Sequence, residues 1–297
     1  MTVSAHIFTG QGFNTSQIFN YSKSIYNAEI SDYFLQVFNE PLPTFNKLKK
    51  NDMSRNEISA AILCISSLEK MHIAKNQFPQ PTFVAGYSVG QYLALHYAGC
   101  ITREDVISII FNRCKIMNKA ASDFNSTLVA VVGLPLSTII NLIKNNNLSD
   151  KVFLSNDNAV GNYTFAVEHS QIIHFMNLCT KKGAYKVKCL NTTGGWHSKF
   201  MNSKKLELSK LLSNVRFSKA NTKIVDNTFV NETSLNPKNI VSTLCNHLVQ
   251  PVRWNETIKY FLVNRVEKVL EISDFDLLTR MGTMSSRKLE FTSLGLL

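Results

Sequence analysis

One stretch constrains this chain more than any other: Phe83-Val84-Ala85-Gly86-Tyr87-Ser88-Val89-Gly90-Gln91. A short apolar run ends in Gly-x-Ser-x-Gly, and an apolar-periodic segment, Tyr92-Leu93-Ala94-Leu95-His96-Tyr97-Ala98, follows at once. That order is the sequence form of a nucleophile elbow, a sharp turn between a buried strand and a helix. Gly86 and Gly90 remove side chains where the two backbones converge. Ser88 then stands at the apex with its hydroxyl exposed. The Val89 N–H, at a helix N-terminus, points to where an oxyanion would form. Read alone, the pentapeptide fits equally a βα turn carrying a solvated serine.

The flanking pattern is that of an α/β fold. Residues 5–12 read as a first strand running into a Gly10-Gln11-Gly12 turn. Such a turn either brings a backbone N–H close to a ligand or simply tightens a βα connection. A helix is predicted within 24–38, and another over 56–76, with Ile58, Ala61, Ile62, Ile65, Leu68 and Met71 at helical spacing. Helix, strand, elbow and helix in succession imply parallel strands. Residues 103–121 form a further helix with Val106, Ile109, Ile110 and Cys114 as its buried stripe. Arg113 adjoins that stripe, as a snorkelling or ion-paired residue or as a ligand clamp.

Residues 126–190 change character. Strands at 127–132, 152–155, 163–167 and 184–190 alternate with helices at 136–144 and 170–181. The order β-α-β-β-α-β is the ferredoxin-like split unit. The chain is thus expected to hold a large α/β domain, 1–125 plus 195–297, with a ferredoxin-like subdomain at 126–194 inserted. Beyond it, a helix carries Met201, Leu206, Leu208, Leu211 and Leu212, and a strand is predicted at 222–226. A helix near 236–248 follows, then another from Pro251-Val252-Arg253-Trp254 to about 263, and a last core strand at 266–272.

Among 297 residues, 44 % are hydrophobic, enough for a sizeable core. No stretch approaches the ~18 uninterrupted apolar residues of a membrane helix. Met1–Phe8 lacks a basic lead and reads as a strand rather than a signal peptide. Cys64, Cys100, Cys114, Cys179, Cys189 and Cys245 show no Cys-x-x-Cys spacing and read as reduced residues of a cytoplasmic protein, with no metal site. The formal net charge of +11 favours anionic partners. The basic residues are dispersed and carry no nucleic-acid motif, which leaves an acidic protein partner or a Lys- and Asn-rich bias.

A serine needs a base to act as a nucleophile. His6 falls in a strand, and His72, His96 and His174 fall in helices; His169 precedes one. His197 differs: it follows a Gly194-Gly195-Trp196 turn at the end of the insert, where it can project into a domain junction. No acid is fixed by spacing.

Five elements in order, Gly10-Gln11-Gly12, Gly86-Tyr87-Ser88-Val89-Gly90-Gln91, Arg113 in a helix, Trp196-His197-Ser198 and Pro251-Val252-Arg253-Trp254, resemble malonyl-CoA:acyl carrier protein transacylases. They are also similar to the free-standing acyltransferases of polyketide synthases. The resemblance runs from residue 5 to about 281. It implies an α/β-hydrolase-like large domain with a ferredoxin-like insert and a ping-pong transfer. Ser88 would take the acyl group and His197 would move the proton. The N–H groups of Gln11 and Val89 would form the oxyanion hole. Arg113 would hold the malonyl carboxylate, with Trp196 and His247 also at the substrate. The implied substrate is malonyl-CoA and the implied partner an acidic acyl carrier protein whose phosphopantetheine thiol accepts the group. No bound cofactor, nucleic acid or membrane is implied, and a monomer is expected.

Several positions depart from the family. Tyr87 replaces the usual His before the serine, and Gln91 replaces a usual acid. Ser59 stands where a pocket Gln is expected, and His247 where a Gln or Asn helps orient the catalytic histidine. Ser273-Asp274-Phe275 replaces a Gly-Pro-Gly turn, and Gly-Gly-Trp-His stands around the histidine. Two other readings follow from the same scaffold: a hydrolase clearing acyl groups from carrier proteins, and a carrier-docking module without turnover.

Overall fold

The structure is a computed structural model and describes residues 2–11, 20–49, 51–233 and 236–296. Gly12, the last residue of the first predicted turn, lies outside them. In chain order the elements begin β1 (Ser4–Phe8), α1 (Asn27–Phe38), α2 (Asn56–Gln77), β2 (Phe83–Gly86), α3 (Gly90–Tyr97) and α4 (Arg103–Asp123). They continue β3 (Ser126–Val132), α5 (Leu136–Asn145), β4 (Val152–Ala159), β5 (Asn162–Glu168), α6 (Ile172–Lys181), β6 (Lys186–Cys189) and α7 (Lys205–Ser213). The remainder is β7 (Lys223–Val225), α8 (Pro237–Val249), β8 (Val252–Arg253), α9 (Trp254–Val263), β9 (Lys268–Glu271), α10 (Leu277–Ser285) and β10 (Glu290–Ser293).

One parallel sheet runs β10-β9-β1-β2-β7. Its central strands, β1 and β2, are buried on both faces, which explains why they read as unbroken apolar runs. One face packs Phe8 and Val84 against α2, α3 and α4. The other packs Ala5, Ile7, Phe83 and Ala85 against Trp254, Ile258 and Phe261 of α9. The helix α4 opens with a reciprocal capping box between Thr102 and Asp105.

The second sheet runs β6-β3-β5-β4-β8. Its first four strands, with α5 and α6, have the β-α-β-β-α-β order expected of the split unit, and α5 and α6 cover one face with Ile139, Ile143, Phe175 and Cys179. The fifth strand comes from outside residues 126–194. Val252 and Arg253 form β8, paired in parallel with Asn156 and Asp157, so the predicted helix starts only at Trp254. Beyond β9 and α10, β10 pairs beside β9 in parallel at the edge of the first sheet.

Register fixes the site. Phe8 stands opposite Gly86 in the β1–β2 pair, so the turns leaving these two strands emerge side by side. This places both turns at the carboxyl ends of a parallel sheet, where open α/β sheets hold their ligands. The approach leaves no room for a side chain: a Cβ on Gly90 would lie 2.2 Å from the Phe8 carbonyl oxygen. Gly90→Ala is therefore expected to cost about 3 kcal/mol of stability, read by denaturant unfolding; an unchanged midpoint would show that the elbow can spread.

Candidate active site

Ser88 has φ +55°, a left-handed conformation that non-glycine residues adopt rarely and at a cost. The turn is closed by Gly90 N–H donating to the Tyr87 carbonyl (2.9 Å) and Gln91 N–H to that of Ser88 (3.0 Å). Gln91, in place of a usual acid, ties the elbow to its neighbours. Its Oε1 accepts from Gly86 N–H (3.3 Å) and from Asn227 Nδ2 (3.2 Å), while its Nε2 donates to Val225 O (3.4 Å). Asn227 also donates to the Gly86 carbonyl. A neutral amide serves here because the turn offers both a donor and an acceptor. The Val89 N–H, at the N-cap of α3, donates to no group among the described residues.

His197 lies across from the elbow. Its loop is pinned to β3 by Gly195 N–H donating to Ser126 Oγ (3.1 Å), and Ser198 Oγ donates to Gly195 O (2.6 Å). His197 itself has φ +53°. Its Nε2 is 2.7 Å from Ser88 Oγ, and its Nδ1 is 2.7 Å from the His247 carbonyl oxygen. A carbonyl only accepts, so Nδ1 carries the proton and Nε2 is free to accept from the serine hydroxyl. The pair is thus a nucleophile and base oriented by a third group, and that group is a main-chain carbonyl. At residue 247 it is the backbone that meets His197, while the His247 ring stands 5.1 Å from the His197 ring.

Burial holds His197 neutral, driving its pKa down to about 3, and the nearby Arg113 charge pushes the same way. His247 is held well below the ordinary value by burial and then by the His197 and Arg113 charges. His6, buried in β1 with its Nδ1 3.0 Å from Tyr97 Oη, is lowered to about 4. In the unfolded chain all three titrate near ~6.5, so below that pH the unfolded state binds more protons and stability falls. Glu271 opposes this. Burial raises its pKa to about 7 from 4.5, so its contribution is full below pH 4.5 and is lost as pH rises through 7. Burial lowers His96 as well and raises Asp157 and Asp226 alongside Glu271, so four histidines against three carboxyls leave a net uptake of about one proton on unfolding. Stability should therefore drop by ~1–2 kcal/mol per unit from pH 6.5 to 5. Denaturant titrations across that range test this, and stability that holds or rises on acidification would contradict it.

Arg113 is the least expected feature. It does not snorkel: it is only 1 % exposed, and its Nε and both Nη atoms have no hydrogen-bond partner among the described residues. Its guanidinium lies 5.8 Å from the centre of the Tyr92 ring. Tyr92 Oη and both ring nitrogens of His247 are likewise buried without partners. Such groups are costly unless something satisfies them. A permanent cation with every donor free, close enough to depress His197, is suited to an anion.

A cavity of about 320 Å³ opens over Ser88 and His197. Gln11, Ser59, Tyr87 and Trp196 line it; Arg113 and His247 are buried and do not line it. Gln11 turns its side chain away, donating to the Asn56 carbonyl (2.8 Å) and side chain (2.9 Å). The rest of the wall was not foreseen: Asn156, Asn158, Asn162 and Thr164 come from β4 and β5. Asn156 and Asn158 alternate along a strand, and that period of two is the signal that could have found them. No group of three or more His, Cys, Asp or Glu among the described residues could hold a metal. No helix among them is long and apolar enough to cross a membrane.

With this geometry in hand, comparison with known proteins is informative. Residues 46–295 match the acyl transferase domain family. The chain belongs to that family. It is 27 % identical over 287 residues to a malonyl CoA-acyl carrier protein transacylase of Buchnera aphidicola subsp. Schizaphis graminum, covering 93 % of this chain and 90 % of that protein. The fold matches the malonyl CoA-acyl carrier protein transacylase of Coxiella burnetii with a TM-score of 0.89 at 20 % identity, covering 99 % of this chain and 94 % of that one. It also matches a malonyl-transacylase solved in complex with its type II polyketide synthase acyl carrier protein (TM-score 0.88, 21 % identity, 99 % and 96 % covered). The fold is the one the resemblance implies, an α/β-hydrolase-like unit with a ferredoxin-like one, the second of which the residue pattern also predicts.

Proposed function

We propose that this acyltransferase moves a malonyl group from malonyl-CoA to the phosphopantetheine thiol of an acyl carrier protein, in fatty-acid or polyketide synthesis. The observation that carries the acyl class is Arg113, a buried guanidinium with all its nitrogens unpaired beside the Ser88–His197 pair. The names of the similar transacylases support the same reading.

In the first half-reaction Ser88 Oγ attacks the thioester carbonyl while its proton passes to His197 Nε2. The N–H groups of Gln11 and Val89 receive the oxyanion. The tetrahedral intermediate collapses, the C–S bond breaks, and the CoA sulfur leaves with the proton from His197. In the second half the carrier thiol gives its proton to His197 and its sulfur attacks the acyl-serine. The C–O bond then breaks and the proton returns to Ser88.

The substrate assists its own transfer. In the empty site the Arg113 charge disfavours an imidazolium at His197. A carboxylate paired with Arg113 cancels that charge, so the base is strengthened when a malonyl group is bound. An acetyl group offers no such compensation. The net charge of +11 complements an acidic carrier.

The test is to mix enzyme, malonyl-CoA and holo-carrier and to follow both carrier mass and free malonate. Malonyl-carrier should accumulate faster than malonate. Malonate released without carrier loading would make the protein a hydrolase.

A further inference from the structure

Tyr87 departs from the family, and its side chain links the two sheets. Its hydroxyl donates to Asn158 Oδ1 at 2.6 Å. Its ring meets Trp254 edge-on at 5.7 Å between centroids, so α9 backs it from the other side. Asn158 Nδ2 in turn donates to Thr164 Oγ1 (3.3 Å) and Asn162 Oδ1 (3.4 Å).

These bonds run one way, from Tyr87 to Asn158 and from Asn158 to Thr164 and Asn162. With its oxygen turned to the Tyr87 hydroxyl, the Asn158 amide presents its nitrogen, a donor only, to Thr164 and Asn162. The relay ends at the cavity, where the Asn162 Nδ2 and the Thr164 hydroxyl proton have no acceptor among the described residues. The wall therefore offers free donors at Asn162 and Thr164, and it suits a ligand that brings acceptors.

We propose that Tyr87 is a positioning residue that sets the polarity of this wall, and that the wall reads the amide carbonyls of the phosphopantetheine arm. This rests on the reading of the chain as an acyltransferase using pantetheine thioesters. The acyl group itself plays no part in it. Without the phenol hydroxyl, Asn158 is free to turn its amide over, and the donors at the cavity lose their fixed direction.

Tyr87→Phe keeps the ring against Trp254 and removes only the hydroxyl. Two thioesters of the same acyl group are compared, one on CoA and one on a plain alkanethiol without amides. Tyr87→Phe should raise KM for the CoA thioester by roughly 3- to 10-fold, the size of one modest hydrogen bond. Its kcat should change by much less, and the alkanethiol thioester should keep its kcat/KM. Asn162→Asp, nearly isosteric, replaces the terminal donor with a charged acceptor and should weaken the CoA thioester at least as much. Equal losses on both thioesters would make Tyr87 a mere brace of the elbow, and no loss on either would remove its role; both results overturn the proposal. The comparison can use malonyl or acetyl, whichever the wild type accepts, so a wrong acyl assignment leaves it readable.

Discussion

Ser88→Ala should leave the fold intact and abolish the acyl-enzyme. The serine is the apex of a turn built from main-chain bonds and from glycine contacts, none of which uses its hydroxyl. Its hydroxyl contributes a 2.7 Å bond to His197 and nothing else among the described residues. Removing it should leave the melting temperature within a few degrees and lower transfer by about 10⁴-fold or more, since nucleophile and base act as a unit. Intact mass after exposure to malonyl-CoA and a thermal melt read the two effects together. An undiminished mass increment in the variant would move the nucleophile elsewhere.

Arg113→Met should show the opposite signs for stability and activity. An unpaired guanidinium buried in the empty protein is a cost to folding, and replacing buried charge with an apolar side chain of similar volume is often stabilising by ~1–4 kcal/mol. The same change removes the only permanent cation among the groups that perturb His197. Malonyl transfer should fall by about 10²- to 10³-fold, as for a broken buried ion pair. Acetyl transfer should fall far less. Chemical denaturation and a malonyl-to-acetyl competition measure both. A variant that is less stable and loses both substrates equally would make Arg113 structural.

The parts of this architecture written in side-chain pattern were legible. The elbow was, because its glycines are forced by backbone contacts as close as 2.0 Å from the would-be Cβ of Gly86. The split unit was, because its strands and helices carry different periods. The strand β8 was not, since two residues have no period and its pairing with β4 depends on where the second sheet lies. Arg113 was placed beside the buried stripe of α4. Counting three from Ile110 and four from Ile109 places it within the stripe, as its burial agrees. The asparagines of β4 and β5 read as turn residues because asparagine favours turns; only the cavity shows that they form a wall. The group orienting His197 was out of reach, because it is a carbonyl, and every residue has one.

The central claim is that Ser88 carries a carboxylated acyl group between two pantetheine thiols. It is tested most directly by intact mass and peptide mapping of the enzyme after competition between equal malonyl-CoA and acetyl-CoA, before and after adding holo-carrier. The account predicts a malonyl adduct on the peptide bearing Ser88, in excess over acetyl, that is discharged when the carrier arrives. An adduct on another residue, an excess of acetyl, or an adduct that the carrier leaves in place would contradict it.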